Sequence, residues 1–209
     1  MTKAFLFALG LLAASTAQAS TTINFESYPD PSDFASFTNS GATFTATGGT
    51  SLLEISAYSA WMPGGWGTAG PKVLCPYLSS TNYCGGAFNV TFASPVDTLQ
   101  FYFTGDNSAA TTLSVQAFLN NVLLGTLSVH GDGSVSTAQL VNLGSFGAID
   151  KISVSGGSAD INGFAYDDFS FNVVPAGVPE PSTWALMILG FAAIGVRVRR
   201  RRSAELVSA

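Results

Sequence analysis

The feature that most constrains this chain is the alternation of apolar and polar residues in short runs. Between residues 20 and 177, no segment repeats with the period of an amphipathic helix, and Gly, Asn and Asp separate runs rich in Thr, Val, Phe and Ser. In "DTLQFYFT", Leu99, Phe101 and Phe103 share one face, and "AFNVTFA" before it predicts a separate strand. About ten such runs predict an all-β fold, an antiparallel β-sandwich of jelly-roll type, with an irregular barrel as the alternative.

Two interruptions of this pattern are informative. Asn120 and Asn121 lie between two apolar runs, and both residue types tolerate positive φ, so a tight hairpin is predicted there. Residues 60–86 show no regular alternation and are predicted to form a long irregular stretch. Such stretches inside a compact domain are typical of functional loops.

Aromatic residues cluster at the start of that stretch. Tyr58, Trp61 and Trp66 are candidate ligand-binding residues, because stiff aromatic faces stack on the apolar faces of sugars. The alternative is that these rings cap the open end of the sandwich.

The N-terminal residues 1–19 have the form of a secretory signal peptide. Lys3 precedes the apolar run "AFLFALGLLAA", and the small residues "AQA" at 17–19 fit a cleavage site, so the mature chain is predicted to begin at Ser20. An uncleaved membrane anchor is the alternative.

Export also makes Cys75 and Cys84 a predicted disulfide, whereas two thiols without a nearby His form half of a zinc site at best.

The charge of the body excludes several classes of partner. Of the chain's 13 acidic and 8 basic residues, eleven acidic residues and two lysines lie between residues 20 and 177. The body therefore has a net charge of −9 and no arginine, which argues against binding nucleic acid or anionic lipid. Cations and uncharged ligands remain compatible.

No catalytic motif emerges from the sequence. His130, the single histidine, is followed by Asp132 and Ser134, but neighbours in one turn seldom adopt triad geometry. Glu26 and Glu54 are the only glutamates of the body, and no motif marks them as a glycosidase pair. The body is predicted not to be an enzyme, with an exported enzyme acting on polysaccharide as the alternative.

Two adjacent carboxylates in the last predicted strand suggest a metal site. In a regular strand, Tyr166 and Asp168 would share one face and Asp167 and Phe169 the other, so one carboxylate would point toward the core. A buried carboxylate requires a cation or several donors. Because the first and last strands of a jelly roll are often adjacent, Glu26, Asp167 and Asp168 are candidate ligands of one structural Ca²⁺. The alternative is a hydrogen-bonded aspartate without metal.

The two ends of the body resemble a known group of modules. "INFES" and "FAYDDFSF" are similar to the terminal strands of lectin-like and carbohydrate-binding sandwiches. The resemblance implies a jelly-roll body, a structural calcium ion between its ends and binding of polysaccharide.

The C-terminal segment combines an apolar run with a basic end. "WALMILGFAAIGV" at 184–196 is uncharged and would span about 20 Å as a helix, short of a hydrocarbon core of about 30 Å. We assign residues 20–174 to the body, 175–183 to a linker, 184–198 to a short transmembrane helix and 199–209 to a basic cytoplasmic tail.

The same segment closely resembles the PEP-CTERM sorting signal of Gram-negative bacteria. The resemblance is carried by the triplet Pro179, Glu180 and Pro181, by Trp184, and by the basic residues Arg199, Arg200, Arg201 and Arg202. It implies processing by an exosortase, transient anchoring in the inner membrane, and release to the cell surface or an extracellular, polysaccharide-rich biofilm matrix. The motif also carries an ice-binding-protein label, which we do not transfer to the body because its Thr residues are scattered along the sequence.

Overall fold

The computed structural model describes residues 19–57, 70–78, 84–105, 111–134, 137–156, 163–175 and 181–205. The chain forms two units. One, Gln18–Val174, contains the strands, and the other contains the C-terminal helix. The predicted signal peptide lies outside the described residues, except for Ala19.

The described part of the body contains twelve strands and one 3₁₀ turn at Gly144–Phe146. The strands are β1 (Ser20–Ile23), β2 (Ser32–Phe34), β3 (Ser36–Asn39), β4 (Ala42–Thr47), β5 (Leu52–Ala57), β6 (Lys72–Tyr77), β7 (Ala87–Thr104), β8 (Thr112–Leu119), β9 (Val122–His130), β10 (Gln139–Asn142), β11 (Ile149–Gly156) and β12 (Ala165–Val173).

Strand β7 belongs to both layers of the body. Its first half pairs with β4 and β11, and its second half pairs with β10 and β12. One layer therefore runs β3-β4-β7-β11-β8-β9, and the other runs β10-β7-β12-β6-β5-β2, with β1 also on β12. These strand pairs are antiparallel throughout.

The prediction of two separate strands in this region is wrong, because β7 continues through Ser94 and Pro95. Proline cannot donate a hydrogen bond to a ladder, so it is tolerated where a strand leaves one set of partners for another. The carbonyl of Pro95 still accepts a hydrogen bond from the backbone N–H of Val174, at 2.8 Å.

A core of phenylalanine rings joins the two layers. Phe169 of β12 stacks on Phe101 with ring centroids 4.7 Å apart and meets Phe44 of the facing layer edge-on at 5.1 Å. Phe92 and Phe171 make a similar contact at 5.0 Å. Each fully buried phenylalanine stabilises the fold by about 1.5–3 kcal/mol relative to an exposed one. The all-β, antiparallel sandwich is thus confirmed.

Part of the predicted irregular stretch is a central strand. β6 lies between β5 and β12, and Val73, Leu74 and Cys75 are completely buried. The run "KVLCPY" does not alternate because consecutive residues are buried on both faces of the sheet, a pattern that periodicity does not distinguish from a loop or a helix segment.

The C-terminal helix α1 spans Pro181–Glu205. It begins at the last residue of the Pro-Glu-Pro triplet and continues through the arginine block, so it is longer than the predicted 184–198. Among the described residues, no helix has the combination of length and hydropathy needed to span a membrane.

Candidate functional site

The first and last strands of the body lie side by side, as the sequence predicts. β1 pairs with β12 in the register Ser20 with Asn172 to Ile23 with Phe169. The chain that follows Ile23 therefore passes next to Asp168. We call Glu26, Asp167 and Asp168, with the residues that contact them, the strand-end site.

A bulge in β12 shapes this site. The pairing of β12 with β7 shifts register between Asp167 and Ser170, and Asp168 has a φ of 51°. The irregularity lets Tyr166 and Phe169 both contact the core ring of Phe101, although a regular strand would place them on opposite faces. The predicted alternation therefore fails between Tyr166 and Phe169, whereas Asp167 is buried and Asp168 is only partly buried, as the alternation predicts.

Glu26 is held by the backbone at the start of β6. One carboxylate oxygen accepts a hydrogen bond from the backbone N–H of Lys72 at 2.9 Å. The Lys72 ammonium group donates in turn to the carbonyls of Glu26, at 2.9 Å, and Tyr28, at 2.6 Å. A Cβ atom at Gly70 would overlap this carboxylate, so a larger residue there would require the Glu26 side chain to move. Neither Gly70 nor Lys72 was predicted to belong to this site, although Lys72 is one of only two lysines in the body.

The electrostatics of the site centre on Asp168. Burial raises the pKa of this carboxyl group, and the negative charge of Glu26 raises its pKa further. One oxygen of Asp168 is buried and has no hydrogen-bond partner among the described residues. Asp167 is almost completely buried. The site thus combines one almost fully buried carboxylate, Asp167, with two that are partly exposed, Glu26 and Asp168.

The donor set fits a calcium ion only in part. Ca²⁺ takes six to eight oxygen ligands, and the structure brings the carboxylates of Glu26 and Asp168 within electrostatic reach of each other. Across the described ranges, no three Asp, Glu, His or Cys side chains converge as a metal-binding group. Backbone carbonyls and water would have to complete the coordination.

The disulfide between Cys75 and Cys84 is confirmed, so these sulfurs are not zinc ligands. The carbonyl of Cys84 accepts a hydrogen bond from the N–H of Phe164 at 2.9 Å, and Cys84 forms an isolated bridge with Gly163. Gly163 has a φ of 67°, and a Cβ atom there would lie 2.4 Å from the Cys84 backbone. The disulfide therefore anchors the chain that enters β12, just before the strand-end site.

The hypothetical catalytic residues do not assemble into a triad. His130 is exposed at the end of β9, and its Nδ1 lies 3.0 Å from the hydroxyl of Thr112. Asp132 accepts a hydrogen bond from the backbone N–H of Ser134 at 2.8 Å and another from the Thr137 hydroxyl. Asp132 thus stabilises a turn. Glu54 is half-buried in β5.

Several predicted site residues lie outside the described residues. These are Tyr58, Trp61 and Trp66 of the aromatic cluster, and Pro179 and Glu180 of the sorting triplet. Other members of the sorting motif lie on α1, where the side chains of Trp184 and Arg199 are exposed; the helix also includes Pro181, Arg200, Arg201 and Arg202.

Comparison with known proteins identifies the C-terminal segment. A DUF4465 family protein from Bacteroides ovatus is similar in structure, with a TM-score of 0.42 and 7% identity over 74% of this chain and 99% of that one. No curated protein matches the chain significantly. The family model of the PEP-CTERM protein-sorting motif matches residues 177–202. The chain thus carries a PEP-CTERM sorting signal, which indicates an exported protein that an exosortase sorts at the membrane of a Gram-negative bacterium.

Proposed function

We propose that the protein is released by an exosortase to the cell surface or the extracellular matrix, where its non-catalytic body binds polysaccharide. The observation that carries this proposal is the sorting motif at residues 177–202. Before processing, the C-terminal segment anchors the protein transiently in the inner membrane. The disulfide supports export, because such bonds persist in oxidising compartments.

The charge of the body supports an uncharged or weakly charged ligand. With a net charge of −9, two lysines and no arginine, the body has few groups that hold phosphate or sulfate. Neutral polysaccharides are bound instead by aromatic rings and hydrogen-bonding side chains, and Tyr58, Trp61 and Trp66 are the aromatic residues we assign to this role.

The sorting step is tested by expressing the full chain in a host with and without an exosortase. We expect release of a body that has lost the C-terminal helix, and its mass identifies the cleavage site. Glu180→Ala should retain the helix and stay with the membrane. Glu205→Ala is the matched control, because it removes the same charge from the same segment outside residues 177–202. Equal release of the Glu180 variant, or release without an exosortase, would contradict the proposal.

Polysaccharide binding is tested on the released protein with a glycan array and calorimetry. Trp61→Ala and Trp66→Ala should each weaken binding by about 1–3 kcal/mol if the rings stack on sugars. Leu140→Ala, which removes an exposed apolar side chain from β10, is the control. Binding that is absent, or that survives both tryptophan substitutions, would favour a purely structural matrix protein, whose deletion weakens biofilm cohesion.

The opposing proposal is an exported enzyme acting on polysaccharide. It predicts release of reducing sugar from matrix glycans, with loss of that release in Glu26→Gln or Glu54→Gln. We expect no release from the wild-type protein.

A structural Ca²⁺ at the strand-end site is a second proposal, which the buried, unbonded oxygen of Asp168 favours. The ion would neutralise the clustered carboxylates and hold β1 against β12. Calcium should then raise the melting temperature of the released protein, and a chelator should lower it. Asp168→Asn should lose this response, and a melting temperature indifferent to both reagents would exclude the site.

A further inference from the structure

The β8–β9 hairpin ends one layer of the sandwich. β9 is the last strand in the sheet order, and within the described chain it pairs with β8 alone. Among the described strands, none pairs with its outer row of backbone N–H and C=O groups. Edges of this kind are the usual templates for pairing between chains.

The edge of β9 carries little of the protection that edge strands commonly have. It contains no Lys, Asp, Glu or Pro, and Val122, Leu123 and Leu124 are 64%, 49% and 38% exposed. A bulge protects only its beginning, since Ala117 pairs with Gly125 but Phe118 pairs with Leu123. Residues 125–130 pair regularly with β8, and no other described strand pairs with them.

The charge distribution influences where a second copy of the chain can approach. No charged residue occurs between Asp106 and Asp132, although the body as a whole carries −9. Two such bodies repel each other, and the repulsion is weakest where the surfaces in contact are uncharged. Asp150 accepts a hydrogen bond from the backbone N–H of Asn120 at the turn, at 2.6 Å, and the Lys151 ammonium group lies 4.5 Å from the centre of the Phe118 ring, but β9 itself has no charged side chain. Two copies that meet along β9 therefore approach with a small electrostatic penalty.

The sequence of the edge is also self-complementary. A two-fold axis through Ser128 and perpendicular to the sheet places Leu127 opposite Val129 of the partner subunit. Leu127 and Val129 both pack against the core of their own chain, so this register continues the apolar inner face. The same axis pairs the exposed Thr126 with His130 on the outer face.

We propose that the body forms a symmetric dimer by antiparallel pairing of β9 with β9 of a second copy. The two uncharged hairpins then join one layer from each subunit into a continuous sheet. No residue of this interface belongs to the sorting motif or to the residues proposed to bind polysaccharide.

The test is the mass of the released protein in solution, measured by analytical ultracentrifugation over a range of concentrations. The wild-type protein should dimerise reversibly. Ser128→Lys should weaken the dimer roughly tenfold or more, because it places two like charges opposite each other across the axis. Thr38→Lys is the matched control, since Thr38 is exposed on β3, at the opposite edge of the same layer, and should leave the dimer intact.

A cysteine at the axis gives an independent readout. Directly opposite residues of antiparallel strands have Cα atoms about 4.5–5.5 Å apart, so Ser128→Cys should form a disulfide between subunits under oxidising conditions, whereas Thr38→Cys should not. The native cysteines are already paired and do not interfere. A monomeric wild-type protein, or a dimer that Thr38→Lys disrupts and Ser128→Lys does not, would overturn the proposal.

Discussion

Removal of the disulfide should destabilise the body by an amount that its short loop determines. Cys75 and Cys84 are nine residues apart, and the chain-entropy relation gives about 2.6 kcal/mol at 25 °C for a loop of that length. For a domain of this size, each kcal/mol shifts the melting temperature by roughly 2–4 °C. Cys75→Ala with Cys84→Ala should therefore melt roughly 5–10 °C below the wild-type protein.

The measurement is thermal unfolding of the released protein, followed by circular dichroism with and without reductant. Reductant should lower the melting temperature of the wild-type protein to near that of the double variant and leave the double variant unchanged. Hydrogen exchange should locate the effect at the N–H of Phe164, which donates to the Cys84 carbonyl. A shift below 2 °C, or faster exchange spread evenly over the body, would refute the argument that the bridge anchors the entry to β12.

Three further substitutions test the strand-end site and the core. Asp168→Asn, measured with a chelator present, should stabilise the fold at neutral pH. A carboxyl group whose pKa is raised by folding contributes stability below its unfolded pKa of about 3.9 and loses that stability as pH rises through the folded pKa. The variant should therefore lose this pH dependence, and a urea-unfolding profile identical to that of the wild-type protein would contradict the prediction. Phe169→Ala should cost roughly 3–5 kcal/mol in urea unfolding, and Phe118→Ala, at a half-buried position, should cost clearly less. Gly163→Ala should destabilise the body more than Gly147→Ala does, since both glycines have positive φ but only Gly163 has backbone atoms in the way; equal melting temperatures would contradict that.

Strands with one buried face were predictable from sequence. "ATFTAT" coincides with β4, and "VLLGTLSVH" coincides with β9. The hairpin at Asn120 and Asn121 is confirmed, and the two residues have φ values of 52° and 63°. In these segments, local turn chemistry and alternation agree with the tertiary structure, so the sequence alone is sufficient to predict the strands and the hairpin.

Other strands depend on contacts that the local sequence does not report. β6 is buried on both faces and does not alternate, whereas β2 and β3 are short and rich in polar residues. The merging of two predicted strands into β7 depends on partners that are distant in sequence. Tertiary pairing determines these elements, and local propensity contributes little.

Of the three predicted carboxylates, the structure shows an electrostatic interaction between two, Glu26 and Asp168, and the sequence did not predict their surroundings. The closeness of Glu26 and Asp168 follows from the adjacency of the first and last strands. The bulge at Asp168 and the support from Gly70 and Lys72 require the register of three strands at once. Alternation alone therefore gave the wrong face for part of β12.

The position of β12 has a consequence for the order of events during export. It is the last strand in sequence, yet it lies in the interior of its layer, beside β1, β6 and β7. A chain that crosses the membrane from its N-terminus cannot complete this layer until residue 173 has emerged, immediately before the sorting motif that begins at 177. We expect the body to remain unfolded throughout translocation and to fold as the sorting signal reaches the bilayer, so that maturation of the body and its presentation to the processing enzyme coincide.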